Sequence, residues 1–89
     1  MNYVLIYKRD KTYSATLIQK VSSLADARVK GLQHIARWNN VLRWIGNYSF
    51  IDILEIPVGG EDLAVQYIQN LERRDAKVQS VLSGNRRKT

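Results

Sequence analysis

The sequence predicts a small α+β domain in which one four-stranded antiparallel sheet carries two helices on one face. Three observations point to this class. The chain has 89 residues, of which 45% are hydrophobic and 25% are charged, enough for one core and too few for two. Runs with the two-residue period of a strand alternate with runs that have the 3.6-residue period of a helix. Gly46 and Gly59 mark turns beside the strand-like runs.

The first predicted strand covers residues 2–8. It has two apolar rows, one of Tyr3, Leu5 and Tyr7 and one of Val4 and Ile6. Because both faces of the strand are apolar, a central position in the sheet is expected. Residues 8–11 are charged and turn-like. Residues 11–21 fit either a strand or one face of a helix, so their structure stays open.

A helix is predicted to follow a pair of serines. Ser22 or Ser23 can accept an unpaired backbone N–H as the N-cap, and Asp26 would interact favourably with the positive end of the helix. The expected buried stripe is Ala25, Val29, Leu32, Ile35 and Ala36. Asn39 and Asn40 favour a turn that ends this helix.

The strongest local signal is a hairpin. Two β-rich runs, residues 41–45 and 48–56, are separated by Gly46 and Asn47, a spacer that permits positive φ. One face of the second run is expected to hold Tyr48, Phe50, Asp52, Leu54 and Ile56. Pro57 ends the strand because it cannot donate to the ladder.

Residues 61–74 predict a second helix, with acids at its start and bases at its end, as the helix dipole favours. Residues 76–82 suit either an extension of this helix or a strand, and the short break at Asp75 followed by a β-branched residue favours a strand. The domain then covers residues 1–83, and residues 84–89 form a flexible basic tail. This order of elements is the ferredoxin-like βαββαβ plan.

Two helices on one face would leave the other face of the sheet without an intramolecular cover. This face is expected to hold Tyr3, Leu5, Tyr7, Trp44, Tyr48 and Phe50, with Asp52 beside them. Removal of apolar area from water contributes about 25 cal/mol per Å², so such a face is expected to be an interface. The leading hypothesis is therefore a non-enzymatic binding or regulatory module that forms a homodimer through this face, with room there for a small-molecule ligand.

The charge distribution supports an alternative partner, nucleic acid. The net charge is +6, and the first 50 residues hold eight bases and two acids, whereas the remainder is balanced. Such a field favours phosphates or acidic partners. The residues predicted for this interface are Arg28, Lys30, His34, Arg37 and Arg43. Residues 48–53 also partly resemble the aromatic strand motif of RNA-recognition domains, although an ordinary solvated helix face is the simpler interpretation of the charges.

Asp52 is the one candidate for acid–base chemistry, because it lies in the middle of an apolar strand. Paired with Tyr48 or Tyr7, it could transfer a proton in a barrel cavity. The simpler interpretation is a structural carboxylate that is hydrogen-bonded to a tyrosine or to Arg43. No cofactor or metal site is predicted, because the chain has no cysteine and His34 is its only histidine.

The chain shows no sign of membrane insertion or export. No apolar run approaches the roughly 20 residues that span a bilayer, and the start of the chain lacks a basic leader and a cleavage site. A cytoplasmic location without membrane contact is the expectation.

Residues 45–57, IGNYSFIDILEIP, resemble the signature of the GYD-domain family. The matching positions are Gly46, Tyr48, Glu55 and Pro57. Ser49 stands where the family has an aspartate, and the likeness covers most of residues 3–82. The resemblance implies a ferredoxin-like subunit of the dimeric α/β-barrel kind, in which two sheets pack through their open faces. The ligand-binding domains of Lrp/AsnC regulators are similar in plan and in hairpin.

Overall fold

A computed structural model describes residues 2–41 and 47–87, with side chains as far as Val78. Three strands and two helices lie within these ranges, in the order ββαβα. They are β1 (Asn2–Arg9), β2 (Thr12–Ile18), α1 (Leu24–Val41), β3 (Tyr48–Ile56) and α2 (Glu61–Arg87). The predicted α+β class is confirmed, as are an antiparallel sheet and two helices.

β1 is the central strand, as its two apolar faces predict. The strand order is β2-β1-β3, and β1 pairs antiparallel with both neighbours. β1 and β2 form a hairpin with a two-residue loop, in which Asp10 has a φ of 55°, a conformation that aspartate tolerates better than most residues. Most of the segment that the sequence leaves open, residues 11–21, is therefore a strand.

The two helices lie on opposite faces of the sheet, so the prediction that they share one face is wrong. The layer under α1 consists of Leu5, Ile18, Ala27, Ile35 and Ile53, and the layer under α2 consists of Val4, Ile6, Ile56, Ala64 and Leu71. Leu5 and Ile6 are consecutive in β1 and are both 0% exposed. Because consecutive strand residues point to opposite faces, each helix covers one side of the central strand.

The strand predicted at residues 76–82 is helical, because α2 continues to Arg87. Asp75 does not break the helix. Its carboxylate accepts a hydrogen bond from the Tyr13 hydroxyl and lies 3.9 Å from Lys8 Nζ, so its polar group is satisfied by the sheet. Ala76 and Lys77 are good helix formers. The fourth strand of the ferredoxin-like plan is thus not seen among the described residues.

The other strand of that plan, residues 41–45, begins at a helical position. Val41 is the last residue of α1. Residues 42–46, which include Arg43, Trp44 and the predicted turn at Gly46, lie outside the described residues.

α1 buries a different face from the predicted one, and of the predicted stripe Ile35 alone is buried. Its buried residues are Ala27, Gly31 and Ile35, whereas Ala25, Val29, Leu32 and Ala36 are exposed. A Cβ on Gly31 would lie 2.9 Å from Ile53 Cδ1. The small residues allow the helix backbone to approach the sheet closely, and this approach selects their face over the larger apolar stripe, where Leu32 is 54% exposed.

Of the two serines predicted as the N-cap of α1, Ser23 is the one that caps the helix. Its Oγ accepts the Asp26 N–H at 3.1 Å, and the Asp26 carboxylate in turn accepts the Ser22 N–H at 3.1 Å. The Ser22 N–H, and then Lys30 at 3.4 Å, hold the pKa of Asp26 below its usual range. This exchange of hydrogen bonds fixes where α1 begins.

A β-bulge at Ile51 divides β3 into two rows. In the pairing with β1, Ile6 opposes Asp52 and Tyr7 opposes Phe50, so Ile51 is an extra residue. The predicted single row is divided accordingly: Tyr48 and Phe50 pack in the α1 layer, and Asp52, Leu54 and Ile56 face α2. The prediction of one continuous row is wrong because a bulge interrupts the alternation.

Candidate nucleic-acid interface

The sheet face predicted to be open is covered by α1. Tyr3, Tyr7, Tyr48 and Phe50 pack around the buried Leu5 in the α1 layer. Asp52 lies on the opposite face, and Trp44 is outside the described residues. This face therefore does not offer a sheet-sized apolar surface to a second molecule.

α1 packs chiefly on β3 and leaves the β2 side of this face more open. Three hydroxyl side chains of β2 alternate along that side: Thr12, Ser14 and Thr16. Ser14 and Thr16 are half-buried, and Thr12 is exposed. The α1 face thus has an apolar part beneath the helix and a hydroxyl row beside it.

A surface pocket of about 300 Å³ lies where the hydroxyl row meets the β1–β2 loop. Its lining residues are Tyr7, Arg9, Asp10, Thr12, Ser14 and Tyr48. We call this the hairpin pocket. It combines four hydroxyl groups, one guanidinium and one carboxylate, so it offers hydrogen-bond donors and acceptors and one charge of each sign.

Three aromatic rings adjoin the hairpin pocket and form what we call the aromatic triad: Tyr7, Trp38 and Tyr48. The Trp38 ring centroid is 5.0 Å from that of Tyr7 and 5.2 Å from that of Tyr48. His34 lies one turn earlier on α1, with its ring 5.9 Å from Trp38. All four side chains are half-buried. Packing therefore holds the rings in place while part of each remains accessible.

Arg9 brings positive charge to the triad. Its guanidinium carbon lies 6.0 Å from the Tyr48 ring centroid, within the range of a cation–π interaction. Within the described part of the chain, Arg9 forms no ion pair, whereas Lys8 pairs with Asp75 and Lys30 with Asp26. The Arg9 charge is thus available to an anionic ligand.

A bidentate hydrogen bond fixes Tyr48 against α1. The Asn39 side chain donates to the Tyr48 carbonyl at 2.9 Å and accepts the Tyr48 N–H at 2.7 Å. The prediction that Asn39 and Asn40 end the helix in a turn is wrong, because both lie within α1, where Asn39 positions the first residue of β3. A side-chain amide that bonds both backbone groups of a residue nine positions away has no local sequence signal.

Three of the residues predicted for a nucleic-acid interface share the β2 side of α1. Lys30 donates a hydrogen bond to the carbonyl of Lys20, which follows β2. His34 and Arg37 are four and seven residues beyond Lys30, and that spacing places them on the same side of the helix. Arg37 is exposed.

The other two predicted residues are not part of this group. Arg28 is eleven residues, about three turns, before Asn39, so it shares with Asn39 the β3 side of α1. Arg43 lies outside the described residues. Arg9, Trp38 and the β2 hydroxyls, which the prediction omitted, complete the candidate interface.

Asp52 has a structural environment on the α2 face. Its Oδ2 accepts the Tyr67 hydroxyl at 3.0 Å, and its Oδ1 accepts the Ile53 N–H at 2.8 Å. Tyr7 and Tyr48 lie on the opposite face of the sheet. The geometry thus matches the structural interpretation of Asp52, with Tyr67 as the tyrosine partner.

Tyr67 links stability to alkaline pH. Burial, and then the hydrogen bond to Asp52, raises the pKa of Tyr67 above its usual 10.0. A raised folded-state pKa contributes stability that is fully present below the unfolded pKa and is lost as pH rises through the folded pKa. We expect Tyr67→Phe to lower the free energy of unfolding by about 1 kcal/mol at neutral pH, and this difference from wild type to shrink at alkaline pH.

Urea unfolding of both proteins at about pH 8 and about pH 11 measures the two differences. All residues other than residue 67 are the same in both proteins, so comparing the two differences isolates the effect of Tyr67. A difference that is the same at both pH values contradicts this role.

Within residues 2–41 and 47–87, no cluster of three histidine or carboxylate side chains is arranged to hold a metal ion. Of the helices in the same ranges, neither is long and apolar enough to span a bilayer.

Comparisons with protein families, with curated proteins and with solved structures give no match for this chain. The resemblance to the GYD-domain family therefore stays a prediction. Of its matching positions, Tyr48 and Glu55 lie in β3 and Pro57 directly follows it, while Gly46 is outside the described residues.

Proposed function

We propose that this protein is a binding module for single-stranded nucleic acid, which it holds with the hairpin pocket and the aromatic triad. The observation that carries the proposal is the arrangement of Arg9 over the Tyr48 ring, beside Tyr7 and Trp38. This arrangement offers a surface for base stacking and a positive charge within one site. The β2 side of α1, which carries Lys30, His34 and Arg37, extends this site.

The aromatic triad supplies the stacking surface. Base–aromatic stacking contributes about 1–3 kcal/mol per base, and every base has a face that can stack. The rings of Tyr7, Trp38 and Tyr48 are half-buried, so these side chains lose little additional conformational freedom when a base binds them. Duplex bases have no free faces, which favours a single strand as the ligand.

Charge and hydroxyl groups around the triad supply the contacts for the backbone. Arg9 and the exposed Lys11 lie at the β1–β2 loop, and Arg37 lies on the β2 side of α1. Thr12 and Ser14 add neutral donors within the hairpin pocket. Guanidinium and hydroxyl groups are common partners of phosphate and sugar oxygens.

Asp10 opposes this charge, because it is the one acid that lines the hairpin pocket. Its carboxylate would repel a phosphate that approaches Arg9 too closely from the loop side. Asp10→Asn removes the charge, and asparagine also tolerates the positive φ of 55° at this position. The substitution is thus a test of electrostatics with little effect on the loop.

Two other functions have less support. A homodimer through the aromatic sheet face would need Leu5 and its neighbours to be exposed, but α1 packs over them. An enzyme with Asp52 as its acid or base would need a tyrosine partner in a cavity, but Asp52 already accepts hydrogen bonds from Tyr67 and Ile53.

Fluorescence anisotropy with a labelled single-stranded oligonucleotide tests the proposal. We expect Arg9→Ala to weaken binding about tenfold, which corresponds to about 1.4 kcal/mol, and Asp10→Asn to strengthen it severalfold. Arg28→Ala is the matched control, because it removes the same charge from the β3 side of α1. A plot of the logarithm of the binding constant against the logarithm of the salt concentration should have a slope of about −0.7 per neutralised phosphate. Arg9→Ala should reduce the magnitude of this slope by about 0.7.

Three results would contradict the proposal. These are the absence of binding at low salt, equal losses for Arg9→Ala and Arg28→Ala, and tighter binding of a duplex than of the matching single strand. Equal losses would indicate attraction to net charge rather than a site.

A further inference from the structure

The two edges of the sheet differ in how they are protected. Free edges attract strand pairing, and proteins block it with charges, proline and bulges. β3 carries the bulge at Ile51, the charged residues Asp52 and Glu55, and Pro57 directly after its last residue. The β3 edge thus has all three of these features.

β2 has none of them. Its sequence, TYSATLI, contains no charged residue and no proline. It pairs residue for residue with β1 from Thr12 to Ile18, without a register shift. Its outer backbone groups have no partner strand among the described residues. β2 is therefore a regular seven-residue strand with an unprotected edge.

Exposed apolar side chains lie beside this edge on the α2 face. Ala15 is exposed, Leu17 is 49% exposed, and Val65 of α2 is 54% exposed. They line a groove of about 230 Å³ together with Val4, Thr16, Glu61, Ala64 and Ile68. A free edge that adjoins an apolar groove has the features of a surface for strand addition.

We infer that this edge pairs with the same edge of a second copy of the chain, giving a continuous six-stranded antiparallel sheet. The inference does not depend on the proposed function. It keeps the predicted homodimer but moves the interface from the face of the sheet to its β2 edge.

Net charge does not prevent a second copy from pairing at the β2 edge. With a net charge of +6, two copies repel one another over most approaches. β2 is uncharged along its whole length, so two β2 strands can align without placing like charges opposite one another.

The residue pattern of β2 is also self-complementary. Ala15 is the midpoint of Thr12–Ile18, so a two-fold axis at Ala15 pairs all seven residues. Tyr13 then opposes the partner's Leu17 on the α2 face, and Ser14 opposes the partner's Thr16 on the α1 face. Aromatic–aliphatic and hydroxyl–hydroxyl pairs both stabilise antiparallel strands.

α1 leaves space for this pairing, whereas α2 lies beside the β2 edge and would take part in the contact. α1 packs chiefly on β3, away from the β2 edge. On the other face, Leu17 and Val65 of each copy would extend the apolar groove across the two-fold axis. The exposed apolar area beside β2 is thus buried by the same contact that pairs the strands.

Size-exclusion chromatography with light scattering, over a range of concentrations, tests the inference. We expect the wild type to be a dimer and Ala15→Lys to raise the dimer dissociation constant at least about tenfold, because two lysines would meet at the axis. Ala15→Glu should act likewise, and an equimolar mixture of the two variants should restore a dimer. Val29→Lys is the matched control, since it adds the same charge at a residue that is 53% exposed on α1.

Val65→Lys gives a second, independent disruption from α2, and circular dichroism checks that every variant is folded. A monomeric wild type would overturn the inference. So would a dimer that Ala15→Lys and Val65→Lys leave intact, or a mixture of the two Ala15 variants that stays monomeric although both are folded.

Discussion

Replacing Gly31 with valine is expected to lower the free energy of unfolding by about 1–3 kcal/mol or more. A Cβ at this position would lie 2.9 Å from Ile53 Cδ1, 3.2 Å from Phe50 Cε2 and 3.3 Å from Leu5 Cδ1. Valine adds two further methyl groups to this space, so α1 must move away from the sheet. For a domain of this size each kcal/mol lowers Tm by about 4–8 °C, and thermal unfolding measures the effect.

Two further substitutions separate the clash from the general effects of changing a helical residue. Gln33→Val places a β-branched residue at an exposed position of α1 and should cost little. Gly31→Ala gains about 1 kcal/mol of helix propensity, but it still requires the terminal methyl of Ile53 to shift. Its free energy of unfolding should therefore lie between those of wild type and Gly31→Val. Equal stability of the Gly31→Val and Gln33→Val variants would contradict the close approach of α1 to the sheet.

The close approach of α1 to the sheet at Gly31 also affects the candidate interface. Trp38 is on the same face of α1, two turns later, and contacts Tyr7 and Tyr48. A shift of α1 away from the sheet would separate these rings. We therefore attribute to Gly31 both the close packing of the α1 layer and the alignment of the aromatic triad.

The local features of the fold could be predicted from the sequence, and its layers could not. The central position of β1 follows from its two apolar faces, and the Ser23 cap and the start of α2 follow from local chemistry. The number of helices on each face depends on whether residues 76–82 return to the sheet. The hydrogen bond that joins α2 to β2 here is between Asp75 and Tyr13, which are 62 positions apart in the chain, so local sequence does not reveal it.

The buried face of α1 shows the same limit. Val29 and Leu32 are more hydrophobic than Ala27 and Gly31, so periodicity favours the wrong stripe. The smaller residues are buried because they permit a closer backbone approach, which yields contacts with several strand residues. The hydrophobicity pattern of the sequence does not reveal the contacts that this closer approach provides.

The candidate site could be predicted only in part, for a related reason. Lys30, His34 and Arg37 share a helix side that the spacing predicts. Arg9 and Trp38 join Tyr48 because the extra residue Ile51 changes the alternation along β3, so that Tyr48 faces α1 although Asp52 faces α2. A bulge is a property of two paired strands, and one strand read alone does not reveal it.

Deleting Ile53 is expected to abolish stable folding, whereas deleting Ile51 is not. Ile51 is the extra residue of the bulge, so its removal leaves Asp52 opposite Ile6 and Phe50 opposite Tyr7 in a regular ladder. Both rows keep their faces. The loss is one half-buried isoleucine side chain, about 1–2 kcal/mol.

Deletion of Ile53 removes the residue opposite Leu5. If β3 then pairs with β1 without a bulge, Asp52 lies opposite Leu5 in the apolar α1 layer. An unpaired carboxylate there costs several kcal/mol. If the bulge is kept, the chain before it slips by one residue, and Tyr48 and Phe50 turn away from α1. Either outcome removes much of the free energy of unfolding of a small domain, which is roughly 5–15 kcal/mol.

The two deletions are matched, because each shortens β3 by one isoleucine. Circular dichroism and urea unfolding should show a cooperative transition for the Ile51 deletion and none, or one at far lower urea, for the Ile53 deletion. Similar transitions for both would contradict the register in which β3 pairs with β1. The Ile51 deletion can also be tested for oligonucleotide binding. If it retains the affinity of the wild type, the bulge serves only to accommodate one extra residue. The pairing of β3 with β1 then determines the faces on which Tyr48 and Asp52 lie.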